Sequence, residues 1–454
     1  MNQLKRMVCA LFCSILAGAG LVSCNTYGAY GSAPGTGPGT GPRGTSTAPS
    51  TLNYRAFVSN PFNPNATGSF FPGLNIIDAT QDLLSFFDVD LSGTTASAGM
   101  MVESPTRDRT VMFSPATSTS PNNALGIVNN AQEKGSGSVT LPGPTESMFV
   151  WIDNQTLFTA IPTAAVNGQP AGAVLRVDIA NQAITATVPV AGAHFVIPSP
   201  SGNQILVISD TADSVTVLAP ALITTGNPDN ALTPVSGTFD RPVWAVFSSD
   251  GSTAYVMNCG AQCAGVAASV AVVDMRQSPP TVTSTVPVAA ATMGVLANGT
   301  LYVAGTPLAN AVDCSATLCG VVTVFPSANL AAPPATFAIT DGYHDHMVLA
   351  QNGQLFIGSR TCTNVTASGS TPGRGCLSVL NTAPGGKVYT STQNGDVTGI
   401  EPISTRTQVY VCEGGALQIY DTSHDIGISG SQLTLQKTQI AITGQAIDVK
   451  LADF

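Results

Sequence analysis

The feature that most constrains this chain is a unit of four short apolar segments that recurs along its length. The copy between Pro242 and Val288 shows all four, at residues 242–247, 254–257, 269–274 and 282–288. Each segment is rich in β-branched and aromatic residues and is bounded by Gly, Pro, Asn or Ser, a pattern typical of β-strands. Because the intervening turns are short, the four strands are predicted to form one antiparallel meander.

Eight such units can be counted from their second and third strands. The second strands begin at Arg55, Val111, Leu157, Ile205, Ala254, Leu301, Leu355 and Val409. The third strands begin at Leu74, Ala124, Val174, Ser214, Ser269, Val321, Cys376 and Ala416. Successive units are about 46 to 56 residues apart, and such a period with four strands per unit is typical of a β-propeller.

The two ends of the chain predict how the ring closes. The first unit lacks an obvious first strand, whereas residues 445–454 resemble a first strand with nothing after it. Their pairing would complete one blade and remove the exposed edges of an open sheet. The sequence therefore predicts an all-β propeller of eight four-stranded antiparallel blades, closed by pairing of the N- and C-terminal strands. Seven blades are the alternative, with the weak unit at 99–143 as a distorted insertion.

Several of these units share a local pattern of a turn, a Tyr-Val-rich strand and a strand that ends in Asp. It is clearest in Asp250-Gly251, Tyr255–Asn258, Tyr302–Ala304 and Ser269–Asp274. The pattern resembles the YVTN-type β-propeller repeats of bacterial surface and exported proteins, over most of residues 54–454. That family includes surface-layer proteins, lactonase-like enzymes and many proteins of unknown role, so the resemblance implies a fold rather than a function.

Composition agrees with a strand-rich protein and excludes one class of partner. Only 9% of the residues are charged, and the chain contains 45 glycines and 31 prolines, which favours strands and turns over helices. Lys and Arg together number 16 and are scattered, and the net charge is −10. Without a basic patch to replace phosphate counterions, a nucleic-acid partner is not expected.

The N-terminal segment has the pattern of an export signal. Lys5 and Arg6 precede an apolar stretch at 7–22, which is short for a membrane span and typical of a signal peptide. Residues 21–24, Leu-Val-Ser-Cys, resemble a bacterial lipobox. The resemblance implies that residues 1–23 are removed and that lipidated Cys24 anchors the protein to the cell envelope. An ordinary signal peptide or an uncleaved anchor is the alternative.

A Gly-, Pro-, Ser- and Thr-rich tether is predicted at 24–50, ahead of a propeller domain at 51–454. The tether has almost no apolar content, so it cannot bury enough surface to fold. As a flexible coil it would span roughly 25–30 Å. Asn25, rather than Asp, follows the lipidated position. Under the sorting rule of some bacteria, this implies the outer membrane where the source has one.

Six cysteines fall into three close pairs, each in a loop between the second and third strands of a unit. The pairs are Cys259 with Cys263, Cys314 with Cys319, and Cys362 with Cys376. In an exported chain they predict three local disulfides. Metal ligation is the competing interpretation, but no adjacent His completes a site. Cys412, on a strand, is predicted to be a buried free thiol.

The loops between second and third strands are long, at 60–73, 257–268, 305–320 and 359–375. Long loops in a compact domain tend to carry function. In a meander they share one face with the links between blades. We therefore expect recognition on this face, with the mouth of the central channel as the pocket.

The strongest polar motif is His344-Asp345-His346, at the start of an innermost strand. Because alternate strand residues share a side, His344 and His346 are predicted to act together at the channel mouth. His194 and the Asp240-Arg241 pair occupy similar positions in other blades and are candidates to converge with them. Two imidazoles can bind a metal or transfer protons. The alternative is that these groups only bond neighbouring blades or face solvent.

No catalytic signature is found. The chain has no Gly-x-Ser-x-Gly elbow, His-Glu-x-x-His, Walker loop, dinucleotide fingerprint or Cys-x-x-Cys-His motif. No catalytic residue, metal ion or cofactor is therefore predicted. The interpretation favoured by the sequence is a lipid-anchored propeller that binds an envelope protein, glycan or small ligand without catalysis. A lactonase-like or metal-assisted hydrolase, with its site at the channel mouth, is the alternative.

Overall fold

The computed structural model describes residues 49–64, 69–166, 168–224, 228–308, 313–369, 373–423 and 437–453. The predicted signal peptide, Cys24 and nearly all of the predicted tether lie outside these residues. Within them, the only helices are short 3-10 turns at Pro220–Leu222, Pro228–Ala231, Gly260–Cys263 and Gln351–Gly353. No helix of the described part is long and apolar enough to span a membrane.

The described residues form eight four-stranded antiparallel sheets, which we number as blades 1 to 8 along the chain. Blade 1 contains β1 (Arg55–Pro64), β2 (Phe70–Asp78), β3 (Leu83–Asp90) and the C-terminal β32 (Asp448–Leu451). Blade 2 contains β4 (Met101–Glu103), β5 (Arg109–Ser114), β6 (Asn123–Asn129) and β7 (Lys134–Leu141). Blade 3 contains β8 (Met148–Val150), β9 (Thr156–Ile161), β10 (Ala173–Asp178) and β11 (Ala183–Pro189). Blade 4 contains β12 (Phe195–Pro198), β13 (Ile205–Ser209), β14 (Ser214–Leu218) and β15 (Leu232–Pro234).

The second half of the ring follows the same plan. Blade 5 contains β16 (Pro242–Phe247), β17 (Thr253–Asn258), β18 (Ser269–Asp274) and β19 (Thr281–Pro287). Blade 6 contains β20 (Met293–Ala297), β21 (Thr300–Gly305), β22 (Gly320–Pro326) and β23 (Ala335–Ile339). Blade 7 contains β24 (Tyr343–Leu349), β25 (Gln354–Arg360), β26 (Leu377–Asn381) and β27 (Val388–Thr390). Blade 8 contains β28 (Val397–Pro402), β29 (Gln408–Glu413), β30 (Ala416–Asp421) and β31 (Lys437–Ile440).

The first strand of each blade is innermost, and these inner strands contact one another around the ring. Second strands lie between the first and third strands of their blades and are buried on both faces. All six residues of β9, for example, are buried, and four of the six are apolar. Outer strands such as β7 alternate between more and less exposed positions. This difference in burial explains why the second strands are the clearest markers in the sequence.

The predicted eight blades and the predicted closure are both confirmed. β1 pairs with β2 on one side and with β32 on the other, where Ala56 lies opposite Leu451 and Ser59 opposite Asp448. The weak unit at 99–143 forms a complete blade from β4 to β7, so the seven-blade alternative is wrong. The ring is closed, because blade 1 contains strands from both ends of the described chain.

The ring has two different faces. We call the face with the turns between first and second strands the turn face, and the opposite face the loop face. Turns on the turn face are tight: Asn298 and Gly299 alone join β20 to β21, with φ of 51° and 75°. Only such left-handed backbone matches the twist of a two-residue hairpin, which is why Asn-Gly occurs there.

The three predicted disulfides are present in the described residues, all on the loop face. They join Cys259 to Cys263, Cys314 to Cys319 and Cys362 to Cys376. They lie on three consecutive blades, from 5 to 7. Cys412 is a buried free thiol, as predicted.

Hydrogen bonds tie the loops of blades 5 to 7 to one another. Gln262 Nε2 donates to the Gly342 carbonyl at 3.0 Å, and its Oε1 accepts from the Thr306 amide at 2.9 Å. Arg374 Nη2 donates to the Thr317 carbonyl at 3.1 Å. The loop face is therefore cross-linked within blades by disulfides and between blades by these polar contacts.

On the turn face, an arginine joins the first described strand to the residues that follow the last one. Arg55 Nε lies 2.6 Å from Asp453 Oδ2, and its Nη1 lies 2.7 Å from Glu133 Oε1 in the turn between β6 and β7. The hydrogen bonds that Arg55 donates to Asp453 are the main reason that the pKa of Arg55 is raised. The Ser50 amide donates to Glu133 Oε2 at 2.6 Å. The start of the described chain, its end and blade 2 are thus joined at one point.

Candidate functional site

Six polar side chains meet where the inner strands of blades 3, 4 and 7 begin on the loop face. Blade 3 contributes Glu146, just before β8, and blade 4 contributes His194, just before β12, and Asp210, just after β13. Blade 7 contributes Asp345 and His346 from β24 and Arg360 from the end of β25. We call these six residues the mouth cluster.

One half of the mouth cluster is centred on His194. Its Nδ1 lies 3.1 Å from Asp210 Oδ1, and its Nε2 lies 3.7 Å from Glu146 Oε2. Burial disfavours the charged imidazole, but the hydrogen bond to Asp210 and the attraction to both carboxylates outweigh it and raise the pKa of His194 to about 9. The pKa of Glu146 is lowered, chiefly by its contact with His194. At neutral pH this half is a cation between two anions.

The other half is centred on Asp345. Its Oδ1 lies 2.7 Å from His346 Nδ1, and its Oδ2 accepts from Arg360 Nε. Burial opposes ionisation of Asp345, but His346 and Arg360 outweigh it and lower the pKa of the carboxyl. Both histidines of the cluster are therefore held through Nδ1 by an aspartate, which fixes the plane of the ring.

A contact across the channel joins the two halves. Arg360 Nη2 lies 3.8 Å from Glu146 Oε2. In a ring of eight, blades 3 and 7 are four blades apart and lie opposite each other. The two side chains therefore reach towards each other over the mouth of the channel.

His344 departs from the sequence prediction. Its side chain is fully buried, its Nε2 lies 3.0 Å from the Thr340 carbonyl, and burial lowers its pKa to about 4. The register of β24 shifts between His344 and His346, so the expected alternation of side chains is broken at Asp345. His344 belongs to the wall of the blade, and only His346 of the two is half-exposed in the mouth cluster.

The other predicted residues lie close to the cluster. His194 is a member of it. Arg241 Nη1 approaches the Asp210 carbonyl at 3.4 Å, so Arg241 borders it. Asp240, its neighbour, instead accepts hydrogen bonds from the Val266 and Ala267 amides and so holds a disulfide loop in place.

Sequence reasoning missed Glu146, Asp210 and Arg360. Asp210 and Arg360 occupy equivalent positions, where the second strand of a blade reaches the loop face. A comparison of charged residues at that position of every unit would have selected both. Glu146 lies in a link between blades, and no local signal in the sequence marks it.

The described residues hold no group of three His, Cys, Asp or Glu side chains arranged to bind a metal ion. A cavity of about 200 Å³ lies elsewhere, lined by Thr156, Arg176, Asp178, Thr185 and Ile223 near the boundary of blades 3 and 4. It contains none of the predicted site residues.

A second polar group lines the channel nearer the turn face, on blades 8, 1 and 2. Lys450 Nζ lies 3.2 Å from Asp448 Oδ1, and Glu401 Oε1 accepts from the Leu451 amide at 3.3 Å. Glu103 accepts hydrogen bonds from Thr110 and Asn130, yet its burial raises its pKa to about 8. These side chains bond mainly to their own strands and to neighbouring blades.

Comparison with known proteins shows the fold and leaves the family open. No protein-family model and no curated protein matches the chain. A solved structure of the dihydro-heme d1 dehydrogenase NirN is similar with a TM-score of 0.58 and 13% identity, over 93% of this chain and 79% of that one. Hydrazine synthase of Kuenenia stuttgartiensis is similar with a TM-score of 0.52 and 13% identity, over 72% and 96%. The periplasmic gluconolactonase of Pseudomonas aeruginosa has a TM-score of 0.47 and 15% identity, over 88% and 98%.

Proposed function

We propose that this protein is an exported β-propeller, anchored to the cell envelope through lipidated Cys24, that binds a ligand at the mouth of its channel without converting it. The observation that carries the proposal is the contact between Arg360 and Glu146. It brings charged groups from opposite blades to the axis of the ring, although neither group is needed to pair adjacent strands.

Export is supported by the disulfides. Three disulfides in the described residues suit an oxidising compartment outside the cytoplasm. The lipobox-like residues 21–24 and the Gly- and Pro-rich segment after them support an anchor and a spacer. Residue 25 supports the outer membrane, where the source has one.

Four large apolar residues are also exposed on the loop face: Phe62 and Phe70 at the loop-face ends of β1 and β2, and Val266 and Leu308 in loops. Other exposed apolar residues, such as Ile152, lie outside this face, so the proposal rests on the charged groups of the mouth cluster. The hydrolase alternative required His344 and His346 to act together, and the burial of His344 leaves it without that pair.

Binding is tested with the full mature protein in detergent and an extract of envelope metabolites and glycans. We expect components of the extract to raise the melting temperature of the wild-type protein and to leave Arg360→Gln unchanged. Arg276→Gln is the matched control, since Arg276 is an exposed arginine paired with Asp274 at the turn-face end of β18. An equal rise in melting temperature for both variants would show that the ligand does not bind at the channel mouth.

The anchor is tested separately. Metabolic labelling with a fatty acid should mark the wild-type protein and leave Cys24→Ser unlabelled and released from the membrane fraction. Retention of label by Cys24→Ser would place the lipid elsewhere, and an unlabelled wild type would leave the segment as an ordinary signal peptide.

A further inference from the structure

Glu146 differs from every other acid of the mouth cluster. Its side chain is 56% exposed, whereas those of Asp210 and Asp345 are 21% and 14% exposed. Its two contacts are 3.7 and 3.8 Å long, beyond the 2.7–3.2 Å of a hydrogen bond. The aspartates hold their histidines at 3.1 and 2.7 Å. Glu146 is therefore the loosely held member of an otherwise tightly bonded group.

The backbone on both sides of Glu146 is nevertheless fixed. Thr145 and Ser147 are buried, and the Ser147 amide donates to Thr145 Oγ1 at 3.1 Å. The Ser147 hydroxyl accepts from the Val196 amide of blade 4 at 3.0 Å. The link is thus pinned to the next blade, and only the Glu146 side chain extends over the channel. Its position is set by the fold, although its carboxylate bonds weakly.

Both cations of the cluster point at the same atom. His194 Nε2 and Arg360 Nη2 approach the same oxygen, Oε2 of Glu146. Each donor side chain is oriented by an aspartate that contacts its other nitrogen: Asp210 contacts His194 Nδ1, and Asp345 contacts Arg360 Nε. The two donors form a preoriented fork that the Glu146 carboxylate does not fill at hydrogen-bonding distance. An incoming carboxylate can approach to about 2.7–2.9 Å from charged donors of this kind.

We propose that the mouth cluster binds a small carboxylate-bearing ligand between His194 and Arg360, and that Glu146 occupies this position until the ligand displaces it. This inference rests on the proposed function and names the ligand class of the same site. Glu146 then acts as an internal competitor, because it presents the same chemical group to the same donors. Its removal should tighten binding, whereas the loss of Arg360 should abolish it.

The probes are acetate, lactate and D-glucuronate, with the methyl ester of glucuronate as the uncharged match and phosphate as the anion control. Binding to the full mature protein is followed by NMR of the His194 imidazole and by calorimetry. We expect at least one carboxylate to bind Glu146→Gln roughly tenfold tighter than wild type, since a like charge facing the ligand is removed. The ester and phosphate should not bind, and Arg360→Gln should bind none of the probes.

The control variant is Asp250→Asn, which removes the same charge from an exposed turn on the turn face. It should bind the carboxylates as the wild type does. The inference is overturned when no carboxylate binds either wild type or Glu146→Gln at 100 mM, roughly the weakest affinity of interest. It is also overturned when phosphate binds as well as the carboxylates, or when Glu146→Gln binds more weakly than wild type.

The proposed site and the proposed ligand class give different experimental outcomes when one of them is wrong. When an extract component binds wild type but not Arg360→Gln, yet carboxylates do not compete with it, the channel mouth stands and the ligand class is wrong. When no extract component distinguishes Arg360→Gln from Arg276→Gln but carboxylates bind as described, the fork is an anion site without the proposed natural ligand.

Discussion

Arg55 on the turn face and Arg360 on the loop face make the same kind of contact with opposite consequences. The Arg55 side chain is 9% exposed and contacts Asp453 and Glu133 at 2.6 and 2.7 Å, and it joins residues that must meet for the ring to close. The Arg360 side chain is 41% exposed and holds Asp345, with Glu146 at 3.8 Å across the channel. The ring closes through strand pairing whether or not that second contact forms.

The difference in burial and contact distance between the two arginines distinguishes a charge that stabilises the fold from one that contributes little to it. A buried arginine with two carboxylates is costly to disturb, because its removal leaves anions without a partner. A half-solvated pair adds little to stability, because water screens it and its long side chains lose entropy. This contrast supports the proposal that the charges at the mouth of the channel serve binding.

The largest effect is expected from Arg55→Met. It should lower the free energy of unfolding by about 3–5 kcal/mol, since Glu133 and Asp453 lose a buried partner. Arg360→Met should cost less, because Arg360 is 41% exposed and Asp345 keeps its contact with His346. Urea unfolding followed by circular dichroism measures both. Equal losses of unfolding free energy in the two variants would show that the mouth cluster also stabilises the fold, and the difference between the two arginines would then not hold.

The next effect concerns the disulfides of the loop face. Replacing Cys362 and Cys376 by Ser opens a loop with a sequence separation of 14 and should cost about 3 kcal/mol. The same change at Cys259 and Cys263, with a separation of 4, should cost about 2 kcal/mol. The ligand affinity of both variants sharpens the comparison. If the variant without the Cys362–Cys376 disulfide binds the ligand more weakly and the variant without Cys259–Cys263 does not, the disulfide next to Arg360 also shapes the site.

A smaller effect depends on pH. The pKa of His194 is raised from 6.5 to about 9 by Asp210 and Glu146, against the opposing effect of burial. A base with a raised pKa stabilises the fold fully below pH 6.5, and this contribution is lost as the pH rises through about 9. Arg360 and Asp345 face the same site, so the reference is His194→Gln. The melting temperature of wild type should exceed that of His194→Gln at pH 6 and approach it by pH 10. A constant difference would contradict the predicted titration.

A second effect that depends on pH is expected at Glu103, near the turn-face end of the channel. Burial raises its pKa to about 8, so the fold favours the protonated acid. Its contribution to stability is present below its ordinary pKa of 4.5 and is lost as the pH rises through about 8. Glu103→Gln should therefore match wild type near pH 5 and melt at a higher temperature near pH 9. A wild type that remains the more stable protein at pH 9 would show that the ionised carboxylate is well accommodated.

The sequence predicts the fold better than the site, for a physical reason. Strand positions and the three disulfides are encoded by neighbouring residues, and the sequence predicts both. The residues of the mouth cluster are far apart in the sequence and come together only in the closed ring. Glu146 and Arg360 are 214 positions apart in the sequence, and only closure of eight blades brings them together. The register shift at Asp345 is a local feature, yet no Gly or Pro marks it, so His344 was expected on the wrong side.

The joining of both termini at Arg55 has a mechanical consequence. Tension on a chain held upstream of Ser50 enters β1 at its turn-face end and runs along that strand. β1 is hydrogen-bonded on both sides, to β2 and to β32. If the protein is anchored as proposed, a pull between the membrane and a partner on the loop face loads these bonds in shear, where many must break together, rather than peeling them one at a time. In this geometry the blade that closes the ring is also the one that transmits the force.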